Sequence, residues 1–585
     1  MKKLITLIAG LLWVVAASSQ TFPVNNLVVN GTSQFTGQGN FTLSPTAPTP
    51  TAGDSSTKLA TTAFVSGAVA TASPAVANNT VLAATSTVFA PTVWRMGFVA
   101  AGDAPPLLYV ATALPCTLNA GAGDNGSQVK GSNGNCWNAS FGPGPADVRE
   151  WGAKADGSTN NTAAMQAAHA TGRLIYYPQG QYNFTTISFS SGGIIGDGYF
   201  TILNTTDTGS TDAITYTGGG SGNAAPIPTF QNFAEVAQNT RSGGAGLHFA
   251  PSAGNLQNLH VNNIWQYGFY RGIQLTNCEY GSIAEATIVN YFDVGIYYEF
   301  PQNTGAGDFV IANSHLATAE TTGRLIGIYQ LSGGGLRITG DKILGGHSGF
   351  VLAYTGAITS GPLLLTGNSI ENQDQFNIYL GVASTGAFGG IVITGNELGV
   401  NNGASGTDLS TDTSGLLSYI TVSGNYMQFN GATGTGVAFT GVQGFTFGSN
   451  SIIGNGQSGN VGMQINSSGA GKIAAQNFLS IPTNANHYVV SSSPTVTYYG
   501  DTETFTTGTI TTSTAYGSLF SGSISVTFPR AFTTVPNVTC SNNSTASGGV
   551  AVFPQSISGT GFTAVGISTN SGGSAIGQCT ANGIL

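Results

Sequence analysis

The sequence predicts an all-β chain built around a right-handed parallel β-helix, and three observations carry that reading. A short apolar strand motif recurs about every 27 residues, as LLLTGNSI (363–370), GIVITGNEL (390–398), YITVSGNYM (419–427) and GFTFGSNSI (444–452). An apolar residue stands three before the Asn of each copy and another two after it. No helical periodicity fills the intervals, and the period is too short for a four-stranded propeller blade.

The asparagines mark the register. Asn368, Asn396, Asn425 and Asn450 are the clear copies, and the period extends to Asn262, Ala286, Asn313, Asp341 and Asn477. Only the Asn313 copy slips, with His315 at the expected apolar position and Leu316 one later. Stacked coils lie about 4.8 Å apart. Asn in successive coils can form a side-chain hydrogen-bonded ladder, and at a turn it tolerates left-handed backbone. The asparagines are therefore read as structural.

Composition agrees. Charged residues make up 7% of the 585, glycine numbers 85, and apolar residues reach 41% with 31 Phe and 21 Tyr. That suits long stacked sheets with a neutral polar exterior, not a disordered chain. A net charge of −9 offers no basic stripe, so a nucleic-acid partner is not expected. Beyond the N-terminus no apolar stretch is long enough to span a membrane. Cys116/Cys136 and Cys540/Cys579 are plausible local disulfide pairs; neither shows metal-ligand spacing, and no metal or cofactor is expected.

In chain order, residues 1–20 read as a signal-like hydrophobic segment, with Lys2 and Lys3 before the apolar run Leu4 to Ala16. Residues 21–90 read as a stalk or adaptor containing a Pro-rich linker and a short helix capped by Ser55 or Ser56. Residues 91–142 read as a linker or neck. Within 147–184 a strand, a turn, a helix and a strand are expected. Ser158 to Asn161 supply N-cap candidates and Gly172 a C-terminal glycine, with Ala164, Met165, Ala168 and His169 on the inner helix face. Such a helix would cap the first coil of a β-helix spanning 143–490. The register of 200–258 is irregular. Residues 498–585 alternate over short strands and read as a small β-sandwich.

Three segments carry a resemblance. GDSSTKLATTAFV (53–65) resembles a segment common in bacteriophage tail fibre and tailspike proteins. GAKADG, NNTAAMQAA and IYYPQGQY, within 147–184, are similar to the opening of pectate-lyase-like phage tailspikes, departing from them in the neutral Asn160-Asn161. The C-terminal pattern Val526, Phe528, Phe532, Pro536 and Val538, with Gly561-Phe562, is similar to distal fibre knobs and H-type lectin modules, but GQCTANGIL stands where those close on a Trp-Ala-x-Gly strand. The resemblance implies a homotrimeric tailspike in the virion. It would join phage tail or baseplate proteins through its N-terminal region and bind a bacterial surface polysaccharide. Two alternatives stay open: a depolymerase on the same β-helix, and an exported surface adhesin, for which the signal-like N-terminus speaks.

If glycan is cleaved, carboxylates are the expected agents. Counted from the register marks, Asp293, Glu320, His347 and Asp374 would form one column along the solenoid. Neighbours at about 5 Å or 10 Å bracket the spacings of retaining and inverting pairs. Glu371 is a separate candidate. No dense acidic cluster accompanies Arg271, Arg324 and Arg337, which argues against a calcium-dependent lyase. Aromatic residues crowd the early coils, and Trp265, Tyr267, Tyr270, Tyr291, Tyr297 and Tyr298 are the candidate glycan-stacking residues, with core packing expected to claim about half of the crowd.

Overall fold

The computed structural model describes residues 74–583 except 220–226, 301–307, 355–361, 384–385, 401–405, 430–433, 455–460, 467–470, 474–476, 481–485, 492–495, 499–500, 507–509, 513, 517–518, 528–534, 543–548, 569–572 and 576. The signal-like segment, the Ser55/Ser56 helix, the 53–65 motif, Phe528 and Phe532 lie outside the described residues. No helix among those described is long and apolar enough to cross a membrane.

The repeat is a parallel β-solenoid. A 12-stranded parallel sheet runs from Ile187–Phe189 to Asn486–Ser491, taking one strand from each coil. The other strands of the coils belong to a 25-stranded sheet, apart from Leu256–Gln257 and Cys278–Glu279, which pair with each other. In the regular coils two of its strands meet at a bend: Leu363–Thr366 and Ser369–Gln373, then Ala387–Thr394 and Glu397–Val400, then Leu416–Ser423 and Tyr426–Phe429. Alternation sends one side chain in two inward. Leu365, Ile393, Val422 and Phe447 are fully buried before the bend, as are Ile370, Leu398, Met427 and Ile452 after it.

At the bend, the asparagines turn inward and bond to one another. The backbone N–H and Nδ2 of Asn368 both donate to Asn396 Oδ1, at 3.0 and 2.9 Å. Asn396 does the same to Asn425 (2.9 and 2.9 Å), Asn425 to Asn450 (3.1 and 2.9 Å) and Asn450 to Asn477 (3.1 and 3.3 Å). The second Nδ2 hydrogen reaches back to the preceding coil, from Asn396 to Leu365 O and from Asn425 to Ile393 O. The left-handed backbone needed for the bend falls on the residue before the ladder, Gly340, Gly367, Gly395 and Gly424 at φ 65–69°. Glycine adopts that region without steric cost.

This separation of roles corrects two register marks. Asn313 occupies the left-handed position, at φ 52°, and the ladder residue is Ser314. Its N–H donates to Asp341 Oδ1 at 2.6 Å, and its hydroxyl accepts from Ala286 N at 3.3 Å. Leu316 then falls two residues after the mark and Ile311 three before, both fully buried, so the slip disappears. Two coils earlier, Asn262 pairs with Ala284 and Trp265 with Thr287. The bend there comprises Asn263, at φ 49°, and Ile264, so Asn262 is two residues early. Asparagine is suited to both jobs, which is why spacing alone misplaced the mark at Asn313.

The helix Thr162–Ala170 covers the first coil as expected, burying Met165, Ala168 and His169, with Gly172 left-handed after it. Asn161 is its N-cap residue, but the Asn161 side chain ties back to Lys154 and Thr159 instead of capping. Residues 91–142 are not a plain linker. With Ala75–Val76 they build a five-stranded sheet, closed by the Cys116–Cys136 disulfide, whose core includes Leu82, Val93, Tyr109, Val129 and Trp137. Arg95, fully buried, joins this sheet to the solenoid through Glu150 at 2.7 Å. Beyond Asp501 the strands are antiparallel, with Cys540 and Cys579 disulfide-bonded on paired strands. Cys278 is buried and unbonded to sulfur.

Candidate functional site

The expected acidic column is only partly built. Backbone bonds stack the turns that carry it: Ile326 N donates to Asp293 O, His347 N to Leu325 O, and Gln375 N to His347 O. Asp293, Leu325, His347 and Gln375 therefore share one column. Glu320 falls earlier in a longer turn, half-buried, its backbone N bonded to Thr318 Oγ1 at 3.2 Å. The spacing count missed this because 318–325 replaces a much shorter connection in the next coil. His347 and Asp374 do meet, Nδ1 lying 2.7 and 2.8 Å from the two carboxylate oxygens. Glu371 stands apart on Ser369–Gln373, accepting a bond from its neighbour Ser369.

Asp293 is a clamp. Its side chain is 1% exposed and takes Arg271 Nε at 2.9 Å and Arg324 Nε and Nη2 at 2.5 and 2.8 Å. Burial pushes the carboxyl up, but the bonds from Arg324 and Arg271 outweigh it and hold it below its ordinary value. An ionised, fully engaged carboxylate is a poor proton carrier. Asp293 therefore does not fit the general-acid role in such a pair.

The six aromatic candidates divide. Tyr291 and Tyr298 are fully buried in the solenoid core, so neither can meet a ligand. Both correct the expectation, and alternation along Val294–Glu299 is the reason for Tyr298: Ile296 and Tyr298 point in, Tyr297 and Glu299 out. Tyr297 faces outward yet is 7% exposed. Its ring is covered by the Arg271 guanidinium at 4.4 Å and the Tyr329 ring at 5.4 Å. Trp265 and Tyr267 project from His260–Tyr267 with stacked rings 5.7 Å apart, and Tyr267 is 41% exposed. Asn290 Nδ2 steadies the Tyr267 hydroxyl at 3.2 Å. Tyr270 is half-buried in the following turn.

Sequence reasoning missed a polar chain on the outer face of the 12-stranded sheet. His248 Nδ1 lies 2.6 Å from Asp212 Oδ2, and Nε2 lies 3.2 Å from Thr276 Oγ1. The Thr276 hydroxyl donates to Glu299 Oε1 at 2.9 Å, and the Tyr297 hydroxyl to Glu299 Oε2 at 3.1 Å. Because Thr276 gives its hydrogen to Glu299, Nε2 must donate to the Thr276 oxygen. Nδ1 lies against the Asp212 carboxylate on the other side of the ring. Burial pushes the Asp212 carboxyl up, but the His248 bond wins and lowers it. Asp212 and His248 lie in the irregular region, so no register mark could align them with Glu299. The same face carries Tyr329 and Tyr379 in register with Tyr297.

A cavity of about 230 Å³ beside Phe98 and Lys154 offers less. Its Arg149 is committed to Asp147 at 2.7 Å, and its Asp103 to the amides of Phe98, Val99 and Ala100. No group of three or more His, Cys, Asp or Glu among the described residues is arranged to hold a metal.

Residues 146–333 match the family model for rhamnogalacturonase A/epimerase, pectate lyase-like. That segment contains the capping helix and the early coils with the surface just described. No curated protein matches the chain. Among solved structures it is similar to the tailspike protein gp49 of Acinetobacter baumannii bacteriophage Fri1, a capsular polysaccharide depolymerase. The two are 9% identical over 88% of this chain and 98% of that one, with a TM-score of 0.45. It is also similar to the enzymatically active domain of tailspike protein 2 of bacteriophage CBA120, at 11% identity over 83% and 79% of the two chains and a TM-score of 0.42. A double mutant of the tailspike protein of E. coli bacteriophage HK620 shows 11% identity over 75% and 93%, with a TM-score of 0.42.

Proposed function

We propose that this chain is a tailspike- or tail-fibre-type receptor-binding protein whose early coils recognise a bacterial surface polysaccharide. The observation that carries the reading is the stacked Trp265–Tyr267 pair, held outward on a rigid parallel sheet. Flat aromatic faces with a polar edge stack on sugar rings, and a solenoid presents them without an ordering cost. The pectate-lyase-like match over 146–333 and the tailspike-like motif at 53–65 agree with this reading. Binding of purified protein to an array of bacterial surface polysaccharides tests it. Retention of at least one glycan, weakened about ten-fold or more by Trp265→Ala, is the expected result. No binding to any glycan would refute it.

The protein would act as a homotrimer in the virion, attached to phage tail or baseplate proteins through its N-terminal region. The five-stranded sheet leaves Trp94 and Val110 exposed along its strands, and Val88, Phe89, Met96 and Leu114 beside them. Apolar surface of this kind is normal at an interface between chains. Light scattering on the full chain should give three copies, falling to one in Trp94→Glu/Val110→Glu.

Cleavage of the bound glycan is the second reading, favoured by the outward Glu299 that Thr276 and Tyr297 hold in place. New reducing ends that vanish in Glu299→Gln would establish it.

A further inference from the structure

We propose that Arg271 and Arg324 form a binding site for the carboxylate of an acidic sugar, so that the recognised polysaccharide contains uronic or other carboxylate-bearing residues. This rests on the glycan-binding reading. Two guanidiniums share one buried carboxylate, Asp293, leaving a net positive charge on a chain whose balance is −9. Arg271 spends Nε on Asp293 and Nη1 on Gln274 Oε1, and Arg324 spends Nε and Nη2 on Asp293. A guanidinium has five N–H donors, so each keeps unspent hydrogens. Arg324 is 45% exposed.

The clamp also orients these cations. Arg271 lies over the Tyr297 ring at 4.4 Å and Arg324 over Tyr329 at 5.0 Å, while the two rings stack on each other. Guanidiniums fixed in this way lose little freedom when they take up a carboxylate through parallel N–H bonds. Tyr329, half-buried beside them, offers an apolar edge for the sugar ring. Asp293 thus serves the site by positioning, which explains why it is buried and doubly engaged.

The test uses the full chain and an array of purified bacterial capsular and lipopolysaccharide glycans, neutral and uronic-acid-containing. Each is printed again after chemical reduction of its carboxyl groups to alcohols. The expected result is retention of acidic glycans only. Binding should fall about ten-fold or more on carboxyl reduction, on Arg324→Gln, and in 0.5 M salt, where ionic attraction is screened. Arg324→Lys should recover part of the loss without restoring it, since it keeps the charge but not the fork. The reduced glycans test the wild-type protein, so the outcome does not depend on a variant folding. Equal binding of native and reduced glycan overturns this inference while leaving glycan recognition standing. No binding to any glycan overturns both.

Discussion

The late coils and the early coils solve the same stacking problem differently. From Asn368 to Asn477 the ladder residue is always asparagine, and the rungs from Asn368 to Asn450 donate both to the next coil and to the last. In the early coils the same position holds Phe233, Ile264 and Ala286. There the buried polar groups are Glu235 and Gln266, bonded at 2.7 Å two residues farther along the strand. Freed from an invariant rung, the early turns vary in length. One of them, 318–325, brings Arg324 to Asp293. The regular half holds the coil, and the irregular half carries the clustered arginines, the polar chain and the stacked aromatic pair.

Removing a rung is the harshest way to break this contrast. Asn396→Leu would leave the Asn368 N–H and Nδ2 donors buried without an acceptor. At about 1–3 kcal/mol per orphaned group the cost should be about 2–6 kcal/mol, read from denaturant unfolding. Ile264→Val, at the matching early position, should cost about 1 kcal/mol. Equal costs would mean that the ladder is ordinary packing.

The joint between the halves should titrate. Burial pushes the Asp341 carboxyl up to about 7 from 3.8, and its Oδ2 has no partner. A proton there supplies the hydrogen that asparagine carries on Nδ2. Between about pH 4 and 7 the folded chain keeps that proton while the unfolded chain releases it, so stability falls as pH rises through this window and levels above it. Glu150, raised to about 7, and Glu235, raised to about 8, both by burial, act in the same direction. Asp341→Asn should stabilise the chain by about 2–4 kcal/mol at pH 8 and flatten part of the pH profile. Unchanged stability at pH 8 would show that Asp341 is ionised and solvated.

The smallest stability effect is expected on the early exterior. Tyr267→Ala should change unfolding free energy by less than about 1 kcal/mol while weakening glycan binding about ten-fold. A large loss of stability with unaltered binding would place this ring in the packing.

Much of the solenoid was legible. The period, the alternation and the apolar positions located the strands from 363 onward, and the capping helix followed from Asn161, its small inner face and Gly172. The misplaced mark at Asn313 came from chemistry, since asparagine fits both the left-handed corner, as at Asn313, and the rung, as at Asn368; the mark at Asn262 fell on a strand residue two positions before the rung. The site was less legible. Trp265 and Tyr267 follow from strand alternation, but Tyr298 and Tyr297 are adjacent, and only their facing separates core from surface.

What the sequence by itself determined is the coil, because period and alternation are local properties repeated many times and each copy checks the others. What the tertiary structure alone decided is the surface. The 12-stranded sheet brings Asp212, His248, Thr276 and Glu299 together from four different coils, and Arg324 reaches back across a turn of unusual length to Asp293. Each of these contacts is made once, between residues far apart in sequence. Nothing in a repeat predicts a pairing that occurs once, since it depends on where neighbouring turns place their side chains in space.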